Sequence, residues 1–181
     1  MFAKRSQQIV IDASIARAAG PIGATHPLSA GCRDFLIATL DACHHAAFTA
    51  DLLQEWKTHR SVFALSWRRT MFAKKMVKIL LGTDNTELRQ QLVKSSTSEN
   101  DQNAMLKDAH LIEGAIASGM RVASLDDTVR RHFKDASTSV GLLRTICWVN
   151  PRHPCEDTIS WLHAGAPLET HRTLAAYSCE D

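Results

Sequence analysis

The chain has 181 residues, 45% of them apolar, and a formal net charge of +2. That is enough apolar material for one packed core, which excludes a disordered chain, and too little total charge to signal nucleic-acid binding by itself. No window approaches the ~18 apolar residues of a membrane span, and no apolar stretch succeeds the basic start as it would in a secretory signal, because Asp12 comes too soon.

In chain order, residues 8–12 (Gln-Ile-Val-Ile-Asp) form the apolar run of a buried parallel strand. Ala18-Ala19-Gly20-Pro21 interrupts the chain beyond it. Ser29 is placed to cap a helix over 31–43, where Phe35, Leu36, Ala38, Thr39, Leu40 and Cys43 give an apolar face at helical spacing. A short strand is expected over 45–49 and a helix over 51–58. A long helix with one basic face is expected over 62–81, stopped by Gly82-Thr83-Asp84-Asn85, and a short helix over 86–93. Residues 94–103 include no apolar side chain and predict a surface loop. Next come a helix over 105–118 closed by Gly119, a strand over 121–125, a helix over 127–133, a strand over 145–149 and a helix over 156–163. The alternation predicts an α/β fold, a three-layer α/β/α sandwich with a mostly parallel central sheet. Residues 1–135 make its main unit, and 136–181 complete the same domain with a strand, a helix and a tail.

Four carboxylates stand out. Asp12 ends the first strand, Glu55 lies in the 51–58 helix, Asp108 opens the stretch Lys107-Asp108-Ala109-His110, and Asp126 ends Arg121-Val122-Ala123-Ser124-Leu125-Asp126. Each alone has an ordinary explanation. Asp12, Asp126 or Asp127 would serve as helix N-caps, Asp108 as a first-turn residue favoured by the helix dipole, and Glu55 as a solvated surface side chain. Together they fall at strand ends and helix starts, where side chains of an α/β fold converge on one rim. Carboxylates grouped there are held together by hard divalent cations with oxygen ligands, a combination suited to phosphodiester hydrolysis.

In order and spacing this set resembles the PIN domain family of metal-dependent nucleases over roughly residues 8–133. The likeness is strongest in Lys107-Asp108-Ala109-His110-Leu111-Ile112-Glu113-Gly114-Ala115 and in Gly119-Met120-Arg121-Val122-Ala123-Ser124-Leu125-Asp126-Asp127. Asp12 followed by Ser14 resembles the family's first motif and Leu52-Leu53-Gln54-Glu55-Trp56 its second. Ser124 stands where the family usually has Thr, and both the 55–108 interval and the tail after Phe133 exceed those of the compact toxin members. The resemblance implies Mg²⁺ or Mn²⁺ held by Asp12, Asp108 and Asp126 with Glu55 assisting, Ser14 and Ser124 orienting ligands from behind, and Asp127 in reserve. It implies an endoribonuclease acting on RNA, in the setting of a VapC-type toxin with an antitoxin protein covering the cleft; the oligomeric state stays open, a homodimer included. A catalytically silent PIN-like module that binds RNA or protein is the alternative. A haloacid-dehalogenase-type phosphatase would want Asp where Ser14 stands.

An acidic site repels phosphate, so cations nearby must hold the strand. Arg68, Arg69, Lys74, Lys75 and Lys78 along the 62–81 helix are the first candidates, and Arg130 and Arg131 the second. His44-His45 cannot easily share an ion, because neighbours on a strand face opposite ways. Trp56, Trp67, Trp148 and Trp161 could stack on bases, with core packing the preferred use for Trp148. The chain has neither Gly-x-Gly-x-x-Gly nor Gly-Lys-Ser/Thr, which disfavours an ATP or NAD enzyme. The five cysteines, Cys32, Cys43, Cys147, Cys155 and Cys179, are an odd set with no Cys-x-x-Cys pair. A disulfide framework or zinc knuckle is therefore not expected, and a reducing cytoplasm is.

Overall fold

A computed structural model describes residues 6–178. Its five strands are β1 (Gln8–Ile11), β2 (His45–Phe48), β3 (Val77–Ile79), β4 (Arg121–Ala123) and β5 (Cys147–Val149), all parallel in one sheet of order β3-β2-β1-β4-β5. Among the described residues there are nine α-helices: α1 (Ala13–Ala18), α2 (Pro27–Asp41), α3 (Ala50–Thr58), α4 (Val62–Ala73), α5 (Thr86–Ser95), α6 (Glu99–Lys107), α7 (Ala109–Ala117), α8 (Asp127–Ala136) and α9 (Thr158–His163). Parallel strands need crossovers, and the helices that supply them cover both faces of the sheet. Helices α1, α2, α4 and α9 pack together, α5, α7 and α8 gather on α6, and α3 touches both α1 and α7. From β1 the chain winds outward to β3, then returns to β4 on the other side of β1. β1 and β4 therefore flank the point where the winding reverses, and ligands of open α/β sheets bind outside the carboxyl ends of the strands at such a point.

Near-continuous apolar runs make the strands. β4 and β5 are buried throughout, and β1 and β2 except at their first residues. Trp56 packs edge-on to Phe48 and against Trp67, and its indole N–H donates to the Ile11 carbonyl oxygen at 2.7 Å. Trp67 donates to the Leu36 carbonyl and Trp161 to that of Pro167, while Trp148 lies fully buried against Phe133. These four rings are core. Trp56 also fixes α3 to the end of β1, which is why its neighbour Glu55 reaches the same rim as Asp12. Gly119 turns α7 into β4: a Cβ there would lie 2.5 Å from the Gln8 carbonyl oxygen, so no side chain fits.

The structure departs from the sequence reading in four places. The 62–81 helix ends at Ala73. Lys75 takes a positive φ of 58°, and Met76–Leu80, an apolar run equally suited to a strand, pairs with β2 as β3. Being an edge strand, β3 leaves Lys78 and Ile79 exposed. The polar 94–103 stretch is mostly helix. The Ser98 side chain caps α6 by accepting from the Asp101 N–H, with Glu99 and Asp101 in the first turn, and the polarity reflects a solvated face. The expected 105–118 helix is two helices, broken at Asp108. His26, not Ser29, occupies the N-cap of α2, with Pro27 in the first turn.

Within 136–178 lie β5 and α9, which extend the sheet and one helical layer. Cys155 is disulfide-bonded, contrary to the expectation of a fully reduced set, whereas Cys32, Cys43 and Cys147 are free. Cys179 lies outside the described residues. His44 bonds the Leu162 carbonyl and His45 the Ser6 hydroxyl, so the pair faces two ways. Among the described residues no helix is long and apolar enough to cross a membrane.

Candidate metal centre

Asp12 occupies the N-cap position of α1, yet its carboxylate makes no cap bond. Instead Oδ2 accepts from the Ser14 hydroxyl at 2.5 Å and from the Ser124 hydroxyl at 2.7 Å. Ser14 Oγ in turn accepts from the Leu125 N–H, and Ser124 Oγ from the Asp126 N–H. The two serines thus lock the end of β1 to the loop after β4 through one carboxylate. The ordinary explanation does hold for Asp126, whose Oδ1 accepts from the Val129 N–H at the start of α8. Asp108 sits at the break between α6 and α7, at the start of α7 where the helix dipole favours a carboxylate, and makes no cap bond. The cap explanation fails for Asp127, the first residue of α8, whose two oxygens go to the Asn150 amide and to His153 Nε2 at 2.7 Å.

Asp12, Glu55, Asp108 and Asp126 all line one cleft of about 210 Å³, together with Ser14. Burial, then the charge of Asp12 and also that of Asp126, push the half-buried Asp108 carboxyl up to about 6, against the opposing pull of Lys107 and His110. Glu55 is held below its usual range by His110 Nε2, 3.5 Å from its Oε2, and this outweighs the effect of its burial. Burial works against charge on His110, but Glu55 more than offsets it, so the imidazole titrates higher than usual. Among the described residues, no three of these side chains are gathered tightly enough to hold an ion as they stand. They share a cleft rather than a closed cluster, as expected of like charges that repel one another.

No family model matches the chain, and neither a curated protein nor a solved structure does.

The donor set itself fits a hydrated Mg²⁺ or Mn²⁺. It is all oxygen, it concentrates negative charge on one cleft, and Mg²⁺ keeps several waters while binding few carboxylates directly. Sequence reasoning missed the other side chains that line the same cleft: the cations Arg17 and Lys107 and the imidazole of His59, all exposed. The spacing held the signal, because Arg17 follows Ser14 by one turn of α1, His59 follows Glu55 by one turn of α3, and Lys107 precedes Asp108.

The cations singled out from the sequence lie elsewhere. Lys74 and Lys75 precede β3, at the amino ends of the strands and so on the rim away from Asp12. Arg68 is half-buried beside Arg60 and Arg69, and all three effects on it, burial first, disfavour its charge. Arg69 is exposed on α4. Arg130 is 1% exposed and donates to Glu156 Oε1 at 2.6 Å and to the Trp148 carbonyl, so it cannot hold RNA phosphate. Arg131 is exposed and borders a neighbouring cavity.

Asp108→Asn is expected to stabilise the metal-free protein. A carboxyl whose folded pKa is raised from 3.8 to about 6 binds more protons folded than unfolded in that window. Stability therefore falls as pH rises from about 4 to about 6 and stays lower above it. After discounting for solvent screening, the variant should gain about 1–2 kcal/mol at pH 7. Urea unfolding in EDTA at pH 7 and at pH 4 checks this: the gain should be absent at pH 4.

Proposed function

We propose that this chain is a Mg²⁺- or Mn²⁺-dependent endoribonuclease of the PIN type. The observation that carries the reading is that Asp12, Glu55, Asp108 and Asp126, from four separate segments, line one cleft at the carboxyl ends of β1 and β4. Asp12, Asp108 and Asp126 would hold the ion, with Glu55 at the edge. Bound there, it would lower the pKa of a coordinated water and neutralise charge building on the phosphate. Ser14 and Ser124 fix Asp12 through its Oδ2, leaving Oδ1 as the oxygen offered to the ion. Arg17 and Lys107 supply positive charge at the rim of a cleft that would otherwise repel the RNA backbone. The test is hydrolysis of a labelled single-stranded RNA by the purified chain in Mn²⁺, in Mg²⁺ and in EDTA. Equal cleavage in EDTA, or none in either metal, refutes the reading.

The rim cations give a second check. Arg17→Ala combined with Lys107→Ala should weaken binding about equally for different RNA sequences. Each lost phosphate contact should also take roughly 0.7 from the slope of log affinity against log salt. Arg68→Ala with Lys75→Ala should leave that slope unchanged. Both are read by fluorescence anisotropy in EDTA over a salt series.

A further inference from the structure

Beside the acidic cleft, and beginning at Asp127, a second cavity of about 280 Å³ lies between α8, His153 and the C-terminal segment. We propose that it is a base-stacking subsite for single-stranded RNA, with the Tyr177 ring as its platform. The proposal rests on the ribonuclease reading and names where one nucleotide of the substrate sits.

Three features of the cavity suit a nucleotide. Tyr177 is the chain's only tyrosine, and the Arg130 guanidinium carbon lies 3.2 Å from its ring centroid. Arg130 is immobilised by Glu156 and the Trp148 carbonyl, so it backs the ring and leaves a base only the other face. The segment is clamped as well: the Lys134 ammonium donates to the Tyr177 carbonyl oxygen at 2.6 Å. Asp127, Arg131 and Lys134 fall at i, i+4 and i+7, one face of α8, and all border the cavity. Arg131 is exposed and has no carboxylate partner among the described residues, which leaves it free for a phosphate. His153, pinned by Asp127, forms another wall and offers its imidazole as a polar contact. An aromatic platform beside a free cation, here Arg131, is how proteins bind single strands with little sequence preference. Asp126 lines the acidic cleft and Asp127 this cavity, so the two are joined by consecutive residues and one strand could reach both.

The experiment uses the whole chain in EDTA, so that binding is read without cleavage. The probe is a 5′-fluorescein-labelled oligouridine decamer followed by anisotropy. Tyr177→Ala should weaken binding about 5- to 100-fold, the range expected for loss of one stacked base, whereas Tyr177→Phe should stay within about twofold. Arg131→Ala, a surface change that does not threaten folding, should weaken binding and lower the salt slope by roughly 0.7. On a decamer that is abasic at every position the Tyr177→Ala penalty should vanish. Unchanged affinity for Tyr177→Ala and Arg131→Ala in a parent that binds and cleaves RNA overturns the subsite alone. A penalty that persists on the fully abasic decamer does the same, because it assigns Tyr177 to folding. A parent that neither binds RNA nor cleaves it in Mg²⁺ or Mn²⁺ overturns the ribonuclease reading and the subsite together.

Discussion

Asp12→Asn is expected to reduce RNA cleavage in Mg²⁺ or Mn²⁺ at least about 100-fold while leaving the fold in place. Groups that merely orient a metal ligand typically contribute 10- to 100-fold, so the ligand they hold should contribute at least the upper end. Ser14→Ala and Ser124→Ala supply the internal scale, because each removes one of the two hydroxyls on Asp12 Oδ2 and should cost about 10- to 100-fold. The fold should survive because the Asp12 carboxylate caps nothing. α1 starts without it, and the sheet is joined at this point by the Asp12 N–H to the Ala123 carbonyl oxygen, a backbone bond at 2.9 Å. Asparagine keeps an acceptor for both serines and removes a charge that acts on Asp108. Initial rates on a labelled RNA, alongside a circular-dichroism melt, check both halves. A variant that cleaves like the parent would remove Asp12 from the site.

How far the sequence carried this picture depended on what each signal was made of. β1, β2 and β4 were readable because a short apolar run ending in a polar residue has few uses other than a buried parallel strand. The sheet order was not readable, since it depends on which crossover passes over which face. The 62–81 segment misled because Met76–Leu80 continues the apolar character of α4. Only pairing with β2 and the positive φ at Lys75 make it a strand. Polarity misled over 94–103 because a helix packed on one side only can be polar almost throughout. For the site, the order of the four acids predicted a shared cleft, but not which cations face it. Charge density along α4 drew attention to Arg68 and Lys75, yet α4 carries its chain away from the cleft. Arg17 is a single cation whose importance comes from lying one turn beyond Ser14. Arg130 was misread for the opposite reason: nothing near it in sequence announces Glu156, 26 residues on, as the partner that buries it.

That partnership carries the largest expected effect on stability. Glu156→Gln should lower stability by about 3–5 kcal/mol, the cost of breaking a buried ion pair by removing one charge. For a chain of this size that corresponds to a drop of roughly 6–20 °C in melting temperature. Arg130 and Glu156 are 1% and 6% exposed. Glu156 uses both oxygens, Oε1 for Arg130 and Oε2 for the Asn150 N–H at 3.0 Å. A glutamine keeps the shape and one acceptor, but it leaves a guanidinium in the core with no counter-charge and sets an amide where a backbone N–H needs an oxygen. Replacing both partners, Arg130→Met with Glu156→Gln, should recover much of the loss, because no charge is left buried and the glutamine oxygen is free to accept from the Asn150 N–H. The consequence should also reach the acidic cleft. Asn150 holds Asp127 with its side-chain amide at 2.9 Å, and Asp127 adjoins Asp126. Glu156→Gln should therefore reduce cleavage as well as stability, even below its melting temperature, whereas the exposed control Glu99→Gln, in the first turn of α6, should cost at most about 1 kcal/mol and leave cleavage unchanged. Thermal melts of the single and double variants decide the point: a Glu156→Gln protein that melts with the parent means that Arg130 finds its compensation elsewhere.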